Sequence, residues 1–272
     1  MHAKERSLPH PPPLEPPGGD PSLTRFGYRQ ELRRGLGLRH LLVFGLIYMV
    51  PIAPFGIFGS VFSVAGGMVA LAYGVGMVLM LVTANSYAQM VGAFPMAGSV
   101  YNYAGRGIAA PVGFLVGWAM LLDYILVPSL LALVAAVGMH DAVTTIPVWG
   151  WIVGFALLTT VINVFGIRMT ARVTAWFLIG ELLVLGTYLG AGGWALVEGR
   201  GPDLTGDTVL HALVNPGTVT ASLVFGAVSY AMLSFLGFDG ISMLAEENRG
   251  GARQIGTAMR VALLVTGALF IA

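Results

Sequence analysis

Long apolar runs recur along the chain, separated by short polar or basic stretches. They predict membrane helices at about 40–62, 68–92, 112–138, 148–166, 172–196 and 218–245, with a seventh that begins near 257 and stops at Ala272. About 20 residues rising 1.5 Å each match a hydrocarbon core of roughly 30 Å. The runs are longer and more continuous than the roughly 10-residue alternating strands of a membrane barrel. The expected fold class is therefore all-α integral membrane.

Two runs are interrupted in their middles. In the first, Tyr48-Met49-Val50-Pro51-Ile52-Ala53-Pro54-Phe55-Gly56-Ile57-Phe58-Gly59 sets two prolines three apart and two glycines three apart. An interior proline removes a backbone donor and clashes with the preceding turn, costing about 3 kcal/mol in a soluble helix. The pattern predicts an unwound stretch, and non-helical backbone at membrane depth is tolerated only where protein or a water-filled cavity satisfies it. In the sixth run, Ser234-Phe235-Leu236-Gly237-Phe238-Asp239-Gly240 brackets an acid with glycines. A carboxylate at that depth costs roughly 2.5 to 3.5 kcal/mol on insertion scales, so function accounts for it better than stability. Interruptions five spans apart are what a five-helix inverted repeat would produce, each repeat opening with a broken helix. Half-helix N-termini would then face an anionic group, and freed carbonyls a cation or ammonium.

Composition agrees with a bilayer setting: 56% of residues are hydrophobic and 10% charged. There are no cysteines, which excludes disulfides, thiolate metal sites and cysteine nucleophiles. The first 39 residues hold seven basic residues and seven prolines without an apolar core, so no cleavable signal peptide is expected and the first membrane helix doubles as the targeting signal. Within this tail, Met1 to Asp20 is expected to be disordered, and Phe26 to Arg39 to form a basic amphipathic segment on anionic headgroups. The domain division is thus a cytoplasmic tail over 1–39 and a membrane transport domain over 40–272. With the N-terminus inside, thirteen of the fourteen basic residues are cytoplasmic and Arg200 alone is outside. Basic bias in short loops sets orientation.

Three acids fall inside spans: Asp123, Glu181 and Asp239. No lysine or arginine lies mid-span to pair with them. A carboxyl without a cation in low dielectric holds its proton more tightly, as a proton carrier requires. The acids could instead face a solute ammonium, or stay neutral and hydrogen-bonded to backbone carbonyls. Tyr48, Tyr124 and Tyr230 with Phe55, Phe235 and Phe238 are candidates for an aromatic pocket favouring an ammonium. Gly113 with Gly117, and Gly186 with Gly190, have the spacing of close helix packing. The five histidines are scattered, and no metal, cofactor or catalytic role is assigned to them. No nucleophile with a base appears, so an enzyme is not expected, nor a nucleic-acid partner.

Phe94-Pro95-Met96-Ala97-Gly98-Ser99-Val100-Tyr101-Asn102-Tyr103 with Arg106 resembles the loop between helices two and three of the amino acid, polyamine and organocation permeases. Gly113-Phe114, Gly117-Trp118 and Leu121-Leu122-Asp123-Tyr124 resemble their third helix, Asn163 to Arg168 the exit of the fourth, and Ser234 to Asp239 with Ala245-Glu246-Glu247 the sixth. Within that family the chain is most similar to the putrescine-importer-like branch, where Pro51 to Gly56 stands in place of a glycine-serine-glycine. The resemblance implies a proton- or sodium-linked secondary transporter with a five-plus-five inverted repeat and helices one and six broken. It implies a substrate site built from Val50, Pro51, Ile52, Ala53, Pro54, Phe55 and Gly56 for a carboxylate and Ser234, Phe235, Leu236 and Gly237 for an ammonium; Tyr124, from the aromatic candidates above, is added to it. It implies proton coupling or gating at Asp239, with Glu181, where certain relatives place a lysine, as a further candidate; Asp123 joins them as the third acid inside a span. The expected activity is import of an amino acid or polyamine with H+ across the cytoplasmic membrane. Family members have about twelve spans, so the expectation is a piece of a longer reading frame. The alternative is a non-transporting remnant or membrane-embedded solute sensor.

Overall fold

The computed structural model describes residues 34–165, 167–200 and 220–272. The proline-rich tail, nearly all of the basic amphipathic segment and the outer loop beyond residue 200 lie outside the described residues. Ten helices carry the described chain: α1 (Leu38–Met49), α2 (Ala53–Val64), α3 (Val69–Ala93), α4 (Ser99–Gly107), α5 (Ala110–Ala142), α6 (Val148–Val164), α7 (Ile167–Val197), α8 (Ala221–Leu233), α9 (Gly240–Met243) and α10 (Gly251–Ile271). No strand forms among the described residues; an isolated parallel bridge joins Leu36 to Asn248. The protein is an all-α, multi-pass membrane protein. The helices α3, α5 and α10, and α7 from Arg172, are long and apolar enough to cross a bilayer, and α1 with α2 makes a further span bent by 49°. The helices α6 and α8 are apolar but shorter.

Local chemistry sets the ends. Pro54 and Pro111 occupy first-turn positions of α2 and α5, where a missing N–H costs least. Thr220 caps α8, its hydroxyl oxygen accepting from Leu223 N–H at 3.2 Å. The last helix begins at Gly251, six residues before the expected 257, because Asn248 organises its start: the side-chain oxygen accepts from Gly250 N–H at 3.1 Å, and the side-chain amide donates to the Gly251 carbonyl at 2.7 Å. The stretch 93–111, expected as a loop, contains α4.

The two interruptions are narrower and wider, respectively, than the sequence pattern predicts. The first is confined to residues 50–52, and Gly56 and Gly59 remain inside α2. The proposed helix over 218–245 is regular only in α8 and in the four residues of α9. From Ser234 onward the backbone bonds run from N–H to the carbonyl three residues back, the tight pattern of successive turns.

The core lies between the bent pair, α3, the broken sixth segment and α10. Leu41, Met49, Val61, Tyr73, Phe235, Ile241, Ile255, Met259 and Leu263 are all buried there. The most extensive packing is α10 on α3, followed by α5 on α4; α5 continues onto α6, α6 onto α7, and α7 returns to α1. Along α6 no residue is fully buried, and apolar side chains such as Leu157 and Val164 face outward. A bilayer solvates such side chains without protein cover.

Candidate functional site

The first break starts where α1 runs into Pro51. Val50 donates its N–H to the Leu46 carbonyl at 3.1 Å, but Pro51 has none to offer Ile47. Ala53 N–H then turns to the Val50 carbonyl at 2.8 Å, and Phe55 N–H to that of Ile52 at 3.1 Å. Val50 sits at φ +47°, in the left-handed region. A β-branched residue held there costs on the order of 1–3 kcal/mol and persists only where its surroundings over-determine it.

Two residues before Val50, Tyr48 meets the second break. Gly237 has φ +98°, and a Cβ built on it would lie 2.2 Å from the Tyr48 carbonyl oxygen. Only glycine permits both that backbone and that approach. A Cβ on Gly240 would meet the Tyr48 ring at 2.8 Å. The two interruptions, remote in sequence, thus touch each other through backbone.

Side chains from other helices complete the place. Tyr124 of α5 donates its hydroxyl to the Met243 sulfur of α9 at 3.3 Å. The carboxyls of Asp239 and Asp123 lie within electrostatic reach of one another and of the Tyr87 and Tyr124 phenols, and Tyr48 is within reach of Tyr124. Tyr87 packs edge-on against Phe238 at 5.4 Å and against Tyr103 at 6.1 Å between ring centroids. Asp239 is partly buried, while Asp123 and Tyr124 line an open face. Gly240 donates its N–H to the Gly237 carbonyl at 3.0 Å, closing the turn that carries Asp239. Phe55 meets Tyr188 of α7 edge-on at 5.0 Å. Such a set of acids, phenols and rings can hold a cation through charge, hydrogen bonds and ring faces.

Not every sequence candidate joins it. Glu181 is half-buried on α7, and its side chain makes no hydrogen bond or ion pair with a described residue. The Phe235 ring is fully buried against Tyr73 and Phe270, so the residue offers backbone only. Ser234 is buried too, its hydroxyl 3.1 Å from the Tyr73 hydroxyl. Phe238 is core, and Tyr230 is exposed on α8. Gly56 packs inside α2, where a Cβ would approach Val134 at 3.1 Å. Sequence reasoning missed Tyr87 and Tyr103, since neither carries a charge or interrupts a helix.

The far end of the sixth segment is tied down by buried polar contacts. Ser242 donates its hydroxyl to Ser99 at 2.9 Å, and the Glu246 carboxylate accepts from Ala97 N–H at 2.8 Å. Gly35 and Leu36 donate their N–H groups to the Glu247 carbonyl, each at 2.9 Å, and Arg249 N–H returns to the Leu36 carbonyl at 2.9 Å. Tyr103 stands beside Ser242, and burial pushes its phenol up to about 12, so it remains protonated. A buried donor left unmet costs about 1–3 kcal/mol. Glu246 and Ser242 therefore hold the 94–99 stretch against the sixth segment, and the backbone of Glu247 and Arg249 holds the chain before α1 there.

Residues 40–272 match the sequence model of the family described as amino acid permease. The low-affinity putrescine importer PlaP of Escherichia coli (strain K12) is 32% identical over 251 residues, which cover 89% of this chain and 53% of that protein. A protein named "Probable GABA permease" from Pseudomonas aeruginosa is 25% identical over 244 residues, covering 89% of this chain and 51% of its own length. The chain spans about half the length of the curated relatives it matches. No solved structure matches it.

Proposed function

Because the chain belongs to the amino acid permease family, we propose that it is the site-bearing part of a secondary transporter that imports an amino acid or polyamine together with a proton. The observation that carries this reading is the meeting of the two breaks, with Gly237 seated on the Tyr48 carbonyl and the Asp123 and Asp239 carboxyls nearby. The solute lodges between residues 50–56 and 234–237, beside Tyr124, with its ammonium toward Ser234 to Gly237. Asp239, at the meeting point, is the proton-coupling group, with Asp123 and Glu181 as further acids on the proton route. The chain lies in the cytoplasmic membrane with its N-terminus inside, and α1 with α2 and α8 with α9 open the two halves of a five-plus-five inverted repeat. Names of the relatives, which include a putrescine importer and a GABA permease, support a small amine-bearing solute.

The test is uptake of labelled putrescine or an amino acid into proteoliposomes under an imposed proton gradient. Uptake that follows the gradient and is lost in Asp239→Asn is expected. Unchanged uptake in that variant removes Asp239 from the mechanism. Saturable binding without flux by the 272-residue chain favours a solute-sensing role instead.

A further inference from the structure

Away from the cleft, on the outer face of the α3–α10 pair, we propose a binding site for an anionic phospholipid, whose phosphate is held by Arg260 and Arg253. Contacts between the two helices set the frame. Arg260 Nη1 donates to Asn85 Oδ1 at 3.0 Å. A Cβ built on Gly256 would lie 2.6 Å from the Ala88 Cβ, and one on Gly267 would lie 2.5 Å from the Met77 sulfur. Rising numbers on α10 thus meet falling numbers on α3, so the helices run antiparallel and Gly92 stands level with Ala252 and Arg253. Because α10 begins at Gly251, Arg260 lies about 13 Å along it at 1.5 Å per residue, inside the apolar span rather than at its end. An arginine at that depth is costly unless its charge is met. Its guanidinium has five N–H donors, and Asn85, a neutral partner, takes one. Among the described residues no carboxylate pairs with Arg260. Neither α3, α10 nor any helix packed on them carries an aspartate or glutamate.

The surroundings say which anion fits. Arg260 is half-buried, and its Nη2 lies 4.0 Å from where a Gly256 Cβ would stand, so the side chain turns back toward the start of α10. Toward that same end, Arg253 on α10 and Gln89 on α3 are exposed, and their side chains make no hydrogen bond or ion pair with a described residue. A Cβ on Gly92 would meet nothing within 4 Å, so the space beside Arg253 is open. The hydroxyls nearby are engaged within their own helices: Thr257 donates to the Arg253 carbonyl at 2.9 Å and Ser86 to that of Val82 at 3.3 Å. The unused donors are therefore those of the two arginines and the two amides. Helical spacing puts Asn85 and Gln89 on one face of α3 with Val78 and Val82, and Arg253 and Arg260 on one face of α10 with Leu264. Val78, Val82 and Leu264 are exposed and lie on the membrane-centre side of the donors. A row of donors that gives way to exposed apolar side chains matches a phosphate carrying acyl chains. A free phosphate would use only the first part of it.

The experiment is native mass spectrometry of the full chain released from nanodiscs that hold equal parts of phosphatidylglycerol and phosphatidylcholine with the same acyl chains. Retained phosphatidylglycerol is expected to exceed phosphatidylcholine at least about fivefold. Arg260→Gln is expected to remove most of that excess and Arg253→Gln part of it. Arg39→Gln, which deletes an exposed charge at the start of α1, is expected to keep it. Asn85→Asp supplies a carboxylate to Arg260 from within the protein, and is expected to abolish the excess with thermal stability kept or raised, which tells lipid loss from unfolding. Equal retention of the two lipids by the unaltered chain would overturn the inference and reduce Arg260 to a side chain reaching for head-group water. An equal fall in Arg39→Gln would overturn it in favour of attraction spread over the whole basic side. Displacement of phosphatidylglycerol by inorganic phosphate would assign the donors to a free anion and overturn the lipid. Solute uptake enters none of these outcomes, so the permease reading stands or falls separately.

Discussion

Gly237 is the residue on which the two breaks depend, because it combines φ +98° with a carbonyl oxygen 2.2 Å from where a Cβ would stand. Gly237→Ala is expected to push the sixth segment off Tyr48 and to abolish solute binding, with a loss of thermal stability in detergent that exceeds ordinary surface substitutions. Tyr73→Phe offers the contrast. It removes the 3.1 Å contact with Ser234 and leaves the ring against Phe235 and Phe270, so the expected cost is about 0.6 kcal/mol, the average for a hydrogen bond between membrane helices. A melting series on both variants checks the two outcomes together. The break over residues 234–240 was legible in the sequence, since an acid between glycines in an apolar run conflicts with both helix formation and burial. The partner of Gly237 was not legible. Nothing in the order of residues says that Tyr48, nearly two hundred positions earlier, supplies the carbonyl it rests on.

The element scale shows the same limit in a sharper form. Gly113 with Gly117 and Gly186 with Gly190 share one spacing, yet only the first pair packs. A Cβ on Gly113 would stand 2.5 Å from the Gly105 Cα, and one on Gly117 would meet Tyr101 at 2.9 Å, so α4 and α5 lie backbone to backbone. Gly186 and Gly190 have no described atom within 4 Å of such a Cβ. Gly113→Ala should therefore force α4 away from α5 and destabilise the protein. Gly186→Ala should be neutral or gain up to about 1 kcal/mol from helix propensity. Thermal unfolding of the two variants side by side distinguishes them. Spacing reports which residues share a helix face, but what lies opposite that face depends on tertiary placement. The breaks obey a related rule. Two prolines and two glycines forecast an interruption, and its extent, residues 50–52 alone, follows from Pro54 fitting a first-turn position of α2. The sixth segment lost more helix than expected because Gly237 and the buried contacts of Ser242 and Glu246 hold the chain in turns.

For the whole molecule, the hydrophobic runs made the all-α class and the membrane setting readable, because a bilayer imposes one length and one polarity on every span, while the seven expected helices became ten among the described residues. How the helices group was not readable. The bent pair, α3, the broken sixth segment and α10 share one buried core, while α5, α6 and α7 expose most of their apolar surface. The proposed site lies where these two groups face each other, with Tyr124 and Asp123 on one side and both breaks on the other. That placement is the central claim, and the absence of native cysteines allows a direct test. With Tyr124→Cys as the sole thiol, the rate of alkylation by a cationic maleimide reports access to the cleft, and Val82→Cys on the exposed face of α3 serves as the control. Putrescine at ten times its Kd should slow alkylation at position 124 by about tenfold, in proportion to the fraction of unoccupied sites, and leave position 82 unchanged. Equal alkylation rates at position 124 with and without putrescine, under conditions where putrescine is bound, would contradict a solute site between the two breaks.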